Sequence, residues 1–311
     1  MDTMRERFTA VTTELLAENS RVAVVLADIG VSAFRDSGAV RRHPDRVINV
    51  GIREQLMTGV AAGMALEGFR PIIHSYAPFV VERPFEQVKL DFAHQDLGAI
   101  LVSVGASYDW PEGGRTHMSP GDVALMSTLP DWDIFIPGHP DEVETILREA
   151  AATDRRTYLR LSNQQNEIAI GAAVGGLELV RPASPGSPVV VAVGPTRDAV
   201  LAATAGHDVA VAYTARPFPL DIEGLRRLVA QDLVWVEPYL EGTSAHAIAD
   251  ALRDRPIRLR SVGVGRDELR KYGTPEDHIA AWGLDTVGLS ATINQFLADP
   301  NQRTMARTAG R

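Results

Sequence analysis

The sequence contains no cysteine, which excludes disulfide bonds and thiolate metal sites. It has no apolar run longer than a strand, because glycine, proline or a charged residue interrupts every such stretch, and no membrane span is predicted. The first residues, MDTMRERFTAV, carry charge where an export signal would need an apolar core. From these absences we expect a cytoplasmic protein that does not contact a membrane.

The sequence also has too few basic residues for a general nucleic-acid surface. Lysine and arginine number 31 against 40 aspartates and glutamates, which gives a net charge of −9. Phosphate backbones are bound by a basic face. Two short basic clusters, at 40–43 and 154–157, are more typical of the solvated ends of helices and strands. No nucleic-acid partner is therefore expected.

Several common catalytic and cofactor motifs are missing. The segment GVGRDE (263–268) does not have the GxGxxG spacing, and no GxxxxGK[ST] loop is present. The eight histidines form no HxxxH pair, and no GxSxG elbow occurs. The chain by itself is therefore not predicted to bind a phosphate-bearing cofactor, to hold a metal ion or to act as an α/β-hydrolase.

What the sequence does contain is an alternation of strand-like and helix-like segments. Apolar runs of strand length, such as RVAVVLADI (21–29) and GAILVSVG (98–105), are separated by stretches with helical spacing, such as 4–18 and 54–68. Continuous apolar strands indicate a parallel sheet that is covered on both faces. The 311 residues are enough for two such units, so an α/β fold with two doubly wound domains is predicted.

The first domain is predicted over residues 1–175. The segment VRPASPGSP is rich in proline, glycine and serine, and it indicates a linker at 176–188. Three further apolar runs, VVVAVG, DVAVAYTA and DLVWVEP, predict a second α/β domain at 189–300. The last residues, 301–311, are expected to be disordered.

Polar and aromatic residues follow the strands of the first domain, at the junctions where open parallel sheets bind ligands. Asp28 ends the first strand, Glu54 begins the helix after the second, Tyr76 and Phe79 follow the third, and His117 lies in the glycine-rich loop after the fourth. All of these except Asp28 have a structural alternative. Glu54 suits the first turn of any helix, the two aromatic residues suit a core, and a loop histidine suits solvent.

Taken together, these stretches resemble the pyrimidine-binding domain of the thiamine-diphosphate enzymes of the transketolase group. The resemblance rests on VINVGIREQLMTGVAAGMALEGFRPIIHSYAPF, GGRTH and IPGHPDEVETIL. VVVAVG, WVEPYLEGTSAHA and YGTPEDHIAAWGLD are similar to the C-terminal domain of the same group. The resemblance implies a thiamine-diphosphate-binding-fold pyrimidine domain followed by a transketolase C-terminal-like α/β domain.

The resemblance also implies roles for these residues. The glutamate of GIRE, here Glu54, would hydrogen-bond N1′ of the aminopyrimidine and favour the tautomer that takes the proton from C2. Phe79 best matches the aromatic wall that stacks on the pyrimidine, with Tyr76 beside it. His117 matches the histidine that faces the substrate, and Asp28 matches the strand-end aspartate near the cofactor.

Other positions depart from the pattern of the transketolases that act on sugar phosphates. A histidine before the GxTH loop and an arginine after the last strand fall on Gly105 and Asn163, so Asn163 would face the substrate in place of an arginine. An aspartate four residues before the loop histidine is replaced by Gly113. Arg5 and Ser32 remain as phosphate contacts. Since bidentate arginine contacts are the strong ones, an ordinary pentose phosphate is not expected to be the substrate.

The diphosphate-binding domain of the group, with its GDG…N magnesium motif, has no counterpart in these residues. The resemblance therefore implies a partner subunit, equivalent to the N-terminal half of a transketolase, that holds Mg²⁺ and the pyrophosphate of a shared thiamine diphosphate. An α₂β₂ assembly with two-fold symmetry is expected, and the chain alone should be inactive.

The function implied is that of the C-terminal subunit of a two-component transketolase-like enzyme. Such an enzyme transfers a two-carbon ketol unit from a ketose donor to an aldehyde-type acceptor. One alternative is a β subunit of a 2-oxoacid dehydrogenase-type or acyl-transfer enzyme that passes the adduct to a lipoyl carrier. A second alternative is a non-catalytic scaffold subunit that keeps the fold.

Overall fold

A computed structural model describes residues 2–299, apart from the side chains at 172 and 173. The tail for which we expected disorder, 301–311, lies outside the described residues.

The first half of the chain forms a six-stranded sheet in which every strand pair is parallel, in the order β2-β1-β3-β4-β6-β5. The strands are β1 (Val22–Leu26), β2 (Val47–Asn49), β3 (Arg70–Tyr76), β4 (Ile100–Val104), β5 (Trp132–Phe135) and β6 (Arg156–Arg160). All residues of β1, β4, β5 and β6 are buried. The prediction of a parallel sheet is therefore confirmed.

Helices cover both faces of this sheet. They are α1 (Met4–Glu18), α2 (Val31–Asp36), α3 (Ala39–Arg42), α4 (Glu54–Leu66), α5 (Phe85–Gln87), α6 (Asp122–Met126) and α7 (Pro140–Ala151). The first helix begins at a capping box, in which Thr3 and Glu6 each bond the other's backbone N–H. Apolar residues of α1 and α7 belong to the core on one face, and those of α4 belong to the core on the other.

The second half forms a five-stranded sheet in the order β11-β10-β8-β9-β7. Its strands are β7 (Glu178–Arg181), β8 (Val189–Val193), β9 (Ala210–Thr214), β10 (Asp232–Leu240) and β11 (Arg258–Val264). Only β7 runs antiparallel to its neighbour. The helices are α8 (Arg197–Ala203), α9 (Ile222–Leu228), α10 (Ala245–Ala251), α11 (Pro275–Ala281) and α12 (Thr286–Ala298). The α/β fold class is therefore confirmed for both halves.

The two edge strands of the second sheet were not predicted. β7 lies inside the segment 176–188 that we interpreted as a linker, and β11 was assigned to no strand. Both have partly exposed residues, and β11 begins with the polar-rich stretch Arg-Leu-Arg-Ser. An edge strand is buried on fewer sides than a central one, so it carries no continuous apolar run. Residues 178–181 of the expected linker therefore belong to the second sheet.

The two sheets share buried contacts. The backbone N–H groups of Ile134 and Ile136 donate to the carbonyls of Phe218 and Ala215, at 2.8 and 2.7 Å. One apolar cluster contains both Ile134 and Trp235, which come from different sheets. Within residues 2–299, no helix combines the length and the apolar character needed to cross a membrane.

Candidate functional site

Three of the predicted residues meet at the carboxyl ends of β3 and β4. Tyr76 is the last residue of β3, Phe79 lies in the π-helical turn that follows, and His117 lies in a short 3₁₀ turn beyond β4. The His117 ring centroid is 5.1 Å from that of Phe79 and 5.3 Å from that of Tyr76, both in edge-on geometry. The structure therefore brings these three rings together.

A fourth ring, that of Trp110, completes this cluster and was missed by the sequence reasoning. It stacks on Tyr76 at 5.3 Å with an interplanar angle of 20°, and it meets His117 edge-on at 4.8 Å. The backbone of Gly113 packs directly against Trp110, since a Cβ at Gly113 would lie 2.7 Å from the indole ring. The segment DWPEGG contains a local signal that could have identified Trp110. Proline and two glycines directly after an aromatic residue are typical of a tight turn. We call Tyr76, Phe79, Trp110 and His117 the aromatic cluster.

Local hydrogen bonds orient His117. Its Nδ1 lies 2.9 Å from Thr116 Oγ1 and 3.2 Å from the Gly113 carbonyl oxygen. A carbonyl can only accept, so the Gly113 contact is a hydrogen bond in the form of His117 that carries a hydrogen on Nδ1. The loop is tied to the turn that carries Phe79, because Ser119 Oγ donates to Glu82 Oε1 at 2.6 Å.

The base of the His117 loop is held by buried Asp109. Its carboxylate accepts hydrogen bonds from the Ser162 hydroxyl at 2.8 Å and from the backbone N–H groups of Ala106 and Asn163 at 3.1 and 3.0 Å. Burial nevertheless raises the pKa of Asp109. The Asn163 side-chain amide donates to the Asp109 carbonyl at 3.0 Å. Asn163 thus supports the loop, and its contact with substrate stays a prediction.

Gly105 is required by the packing of the aromatic cluster. It has a φ of +65°, and a Cβ at this position would lie 2.4 Å from Tyr76 Cδ1 and 2.9 Å from the His117 carbonyl oxygen. No side chain fits there without moving Tyr76. Gly105, at the position where the family pattern has a histidine, is therefore required by the close packing of Tyr76 and the His117 backbone.

Glu54 is the first residue of α4 and is only 5% exposed. Its Oε1 accepts a hydrogen bond from Arg83 Nη1 at 2.7 Å. The guanidinium carbon of Arg83 lies 3.9 Å from the centroid of the Phe79 ring. Arg83 therefore joins the buried carboxylate to the aromatic cluster, a link between residues 29 positions apart that the sequence did not indicate.

Asp28 lies at the same end of the sheet as Glu54. Its backbone has a φ of 63°, and it is fixed by Asn49, which accepts from the Asp28 N–H at 2.9 Å and donates to Asp28 Oδ1 at 2.8 Å. Asn49 also accepts from the Gly51 N–H at 3.2 Å, at the start of the GIRE turn. Asp28 is exposed and thus open to a ligand or a partner.

Arg5 and Gly30 lie near a different side chain, buried His74 on β3. Burial, with a smaller effect from the charge of Arg5, lowers the pKa of His74 to about 3. Gly30 packs against the His74 ring, two residues before exposed Ser32. The phosphate role of Arg5 and Ser32 stays a prediction. Across residues 2–299, no group of three or more histidines and carboxylates is placed to hold a metal ion.

The family model for the transketolase pyrimidine-binding domain matches residues 2–167. The chain belongs to this transketolase family. It is 48% identical over 287 residues to an uncharacterized 33.6 kDa protein in the fasciation locus of Rhodococcoides fascians, with 91% of each chain covered. It is 24% identical over 313 residues to an apulose-4-phosphate transketolase subunit of Phocaeicola vulgatus, covering 94% of this chain and 97% of the relative.

A solved structure gives the same result for the fold. The chain is similar to a split gene transketolase, described as an inactive beta4 tetramer, with a TM-score of 0.82 and 26% identity. The match covers 96% of this chain and 99% of that one. The resemblance to the C-terminal subunit of a split transketolase-like enzyme is therefore confirmed.

Proposed function

We propose that this transketolase-family chain is the C-terminal subunit of a two-component enzyme that transfers a two-carbon ketol unit from a ketose donor to an aldehyde-type acceptor. Thiamine diphosphate would be shared with a partner subunit that holds Mg²⁺ and the pyrophosphate, and the complex would work in the cytoplasm. The observation that carries the proposal is the pairing of buried Glu54 with the face of Phe79 across a single planar group, the Arg83 guanidinium.

The site fits an aminopyrimidine ring. The guanidinium is flat, donates to the Glu54 carboxylate at 2.7 Å and lies 3.9 Å from the Phe79 centroid. A pyrimidine ring is also flat and can hydrogen-bond at its edge while it stacks on an aromatic face. When bound, thiamine diphosphate would supply the carbanion chemistry that breaks and forms the carbon–carbon bond.

Glu54 would hold or share a proton at N1′ of the pyrimidine. Its burial at a helix start fixes the position of the carboxyl group, and general acid–base catalysis depends on a positioned side chain. Phe79, with Tyr76 beside it, would orient the ring, and stacking would add about 0.5–1.5 kcal/mol beyond burial.

His117 would act on the substrate. Its Nδ1 is already engaged by its own loop, which leaves Nε2 to hydrogen-bond a hydroxyl group of the ketose. Trp110 and Tyr76 pack against the imidazole ring and restrict its motion. A fixed imidazole keeps its nitrogen within reach of one substrate atom, which favours proton transfer more than a mobile ring would.

The surface around α4 supports a partner subunit. Ile52, Leu56 and Leu90 are 72%, 45% and 43% exposed, and a Cβ on Gly63 of α4 would meet nothing within 4 Å. A contiguous apolar patch marks an interaction surface, and these three residues are proposed to contribute to one. The Phocaeicola relative is itself named as a subunit, which also supports an assembly with a second kind of chain. An α₂β₂ assembly is part of the proposal.

The test is co-expression with the subunit that carries the diphosphate-binding domain, followed by a screen of ketose and 2-oxoacid donors with thiamine diphosphate and Mg²⁺. We expect the complex to bind the cofactor and to consume a ketose only when an aldehyde is present, whereas the chain alone should be inactive. If the complex turns over 2-oxoacids but no ketose, the dehydrogenase-type alternative replaces the ketol-transfer proposal. A complex that binds no thiamine diphosphate would refute the enzyme proposal.

A further inference from the structure

One side chain already makes both contacts that the proposed function gives to the aminopyrimidine. Arg83 Nη1 donates to Glu54 Oε1 at 2.7 Å, and the guanidinium carbon lies 3.9 Å from the Phe79 centroid. The Glu54 side chain is 6% exposed and that of Arg83 is 46% exposed. The buried groups of the site are thus covered by a group that reaches them from solvent.

The chemistry of the guanidinium explains why it fits. It is planar and cationic, it donates hydrogen bonds from its edge, and it stacks on aromatic faces. A buried carboxylate without a partner is costly, so Glu54 needs a partner before any cofactor arrives. We propose that Arg83 is a placeholder for the aminopyrimidine, which pairs with Glu54 and covers Phe79 until the cofactor binds and displaces it.

The surroundings of Arg83 allow this displacement. Its backbone is fixed, because its N–H donates to the Pro78 carbonyl at 3.0 Å and its own carbonyl accepts from Gln55 Nε2 at 3.2 Å. The side chain is half exposed, so the guanidinium can leave for water without unfolding the turn. Arginine stays charged at all working pH values, and its release therefore requires no proton transfer.

The inference rests on the proposed function and makes a counter-intuitive prediction for cofactor affinity. If Arg83 competes for Glu54 and Phe79, the apparent dissociation constant of thiamine diphosphate includes the cost of displacing it. Removal of the arginine should then tighten cofactor binding. If Arg83 instead positions Glu54 in the loaded enzyme, its removal should weaken binding.

The experiment measures the dissociation constant of thiamine diphosphate by calorimetry, at saturating Mg²⁺, for the complex with the partner subunit. Arg83→Met should bind about three- to tenfold more tightly than wild type, given the usual size of one ion pair and one cation–π contact. Arg83→Lys keeps the charge but not the planar fork of the guanidinium. Its dissociation constant should therefore lie between those of wild type and Arg83→Met. The rise in melting temperature on adding cofactor should also be larger for Arg83→Met.

The matched control is Arg155, a second exposed arginine on a buried carboxylate. Its Nη2 donates to Asp133 Oδ1 at 2.8 Å, and the two side chains are 60% and 8% exposed. These residues lie at the opposite end of the first sheet, where β5 and β6 begin. Arg155→Met should lower the melting temperature with and without cofactor by the same amount and leave the dissociation constant unchanged.

Each outcome decides between the explanations. Unchanged or weaker binding by Arg83→Met overturns the placeholder, and so does equal tightening by Arg155→Met. If Arg83→Met does not assemble, tighter binding by Arg83→Lys supports the placeholder and any other result overturns it. If neither wild type nor any variant binds thiamine diphosphate, the proposed function itself fails. If only the Arg83 variants bind, the placeholder is supported in its strongest form.

Discussion

Asp122 and Arg160 form an ion pair of 2.7 Å whose side chains are 0% and 1% exposed. Tyr158 donates a second hydrogen bond to Asp122 Oδ2, at 2.6 Å. Arg160 reaches across to the second sheet, where it donates to the Pro238 carbonyl at 3.3 Å. This buried network therefore links β6 of the site-bearing sheet to β10.

Asp122→Asn should destabilise the chain by about 3–5 kcal/mol, because it leaves the Arg160 charge buried without a counter-ion. The free energy of unfolding in urea is the measurement. The exposed pair Arg226–Asp254 provides the control, and Asp254→Asn should leave the unfolding midpoint unchanged. Equal effects of the two substitutions would contradict the importance of burial at Asp122.

Gly105→Ala should displace Tyr76 and disrupt the aromatic cluster, since the new Cβ would lie 2.4 Å from Tyr76 Cδ1. Gly68→Ala is the control, because Gly68 has a similar φ of +86° but an added Cβ would meet nothing within 4 Å. Both substitutions carry backbone strain of about 1–2 kcal/mol. Only Gly105→Ala should change the near-ultraviolet circular dichroism of the stacked Tyr76 and Trp110. An unchanged spectrum would show that the cluster absorbs the methyl group.

Glu54→Gln should lower turnover of the complex by at least about 100-fold, since an amide cannot share a proton with the pyrimidine. The side chain keeps its size and an acceptor oxygen for Arg83, so assembly with the partner should be intact in size-exclusion chromatography. Steady-state assays with the donor found in the screen provide the rate. Near-normal turnover by this variant would remove Glu54 from the proton-sharing role.

His117→Ala should impair turnover of the donor much more than cofactor binding. The imidazole is proposed to contact the substrate through Nε2, whereas Glu54 and Phe79 hold the pyrimidine. Parallel measurements of kcat/KM and of the thiamine diphosphate dissociation constant separate the two effects. A variant that loses cofactor affinity but keeps donor turnover would exclude His117 from the substrate site.

Glu237 should make stability depend on pH. Burial raises its pKa from the ordinary value of 4.5 to about 7, despite hydrogen bonds from the Gly242 and Ser244 N–H groups. The folded state therefore binds the proton more tightly, so stability from this group is complete below pH 4.5 and is lost as pH rises through about 7. Glu237→Gln should flatten the fall in unfolding free energy over this window, by at most about 1.4 kcal/mol per pH unit. An unaltered pH profile would assign the dependence to other groups.

Much of the fold follows from local pattern. The runs RVAVVLADI and GAILVSVG became central parallel strands, and residues 4–18 became α1. These predictions succeeded because β1 and β4 are buried on both faces and consist almost wholly of apolar residues, which gives a strong local signal. The edge strands β7 and β11 were not predicted, because each has a strand neighbour on one side only. Their sequences are less apolar, and the strand pattern is therefore weaker.

The sequence by itself determined the family, the α/β class and the candidates Glu54, Tyr76, Phe79 and His117, since each stands in a contiguous motif. Only the tertiary structure decided that Arg83 pairs with Glu54 and covers Phe79, and that Trp110 stacks on Tyr76. The reason is physical. A local pattern reports how buried each residue must be, whereas the choice of partner depends on which distant segments the packed sheet brings within a few ångströms.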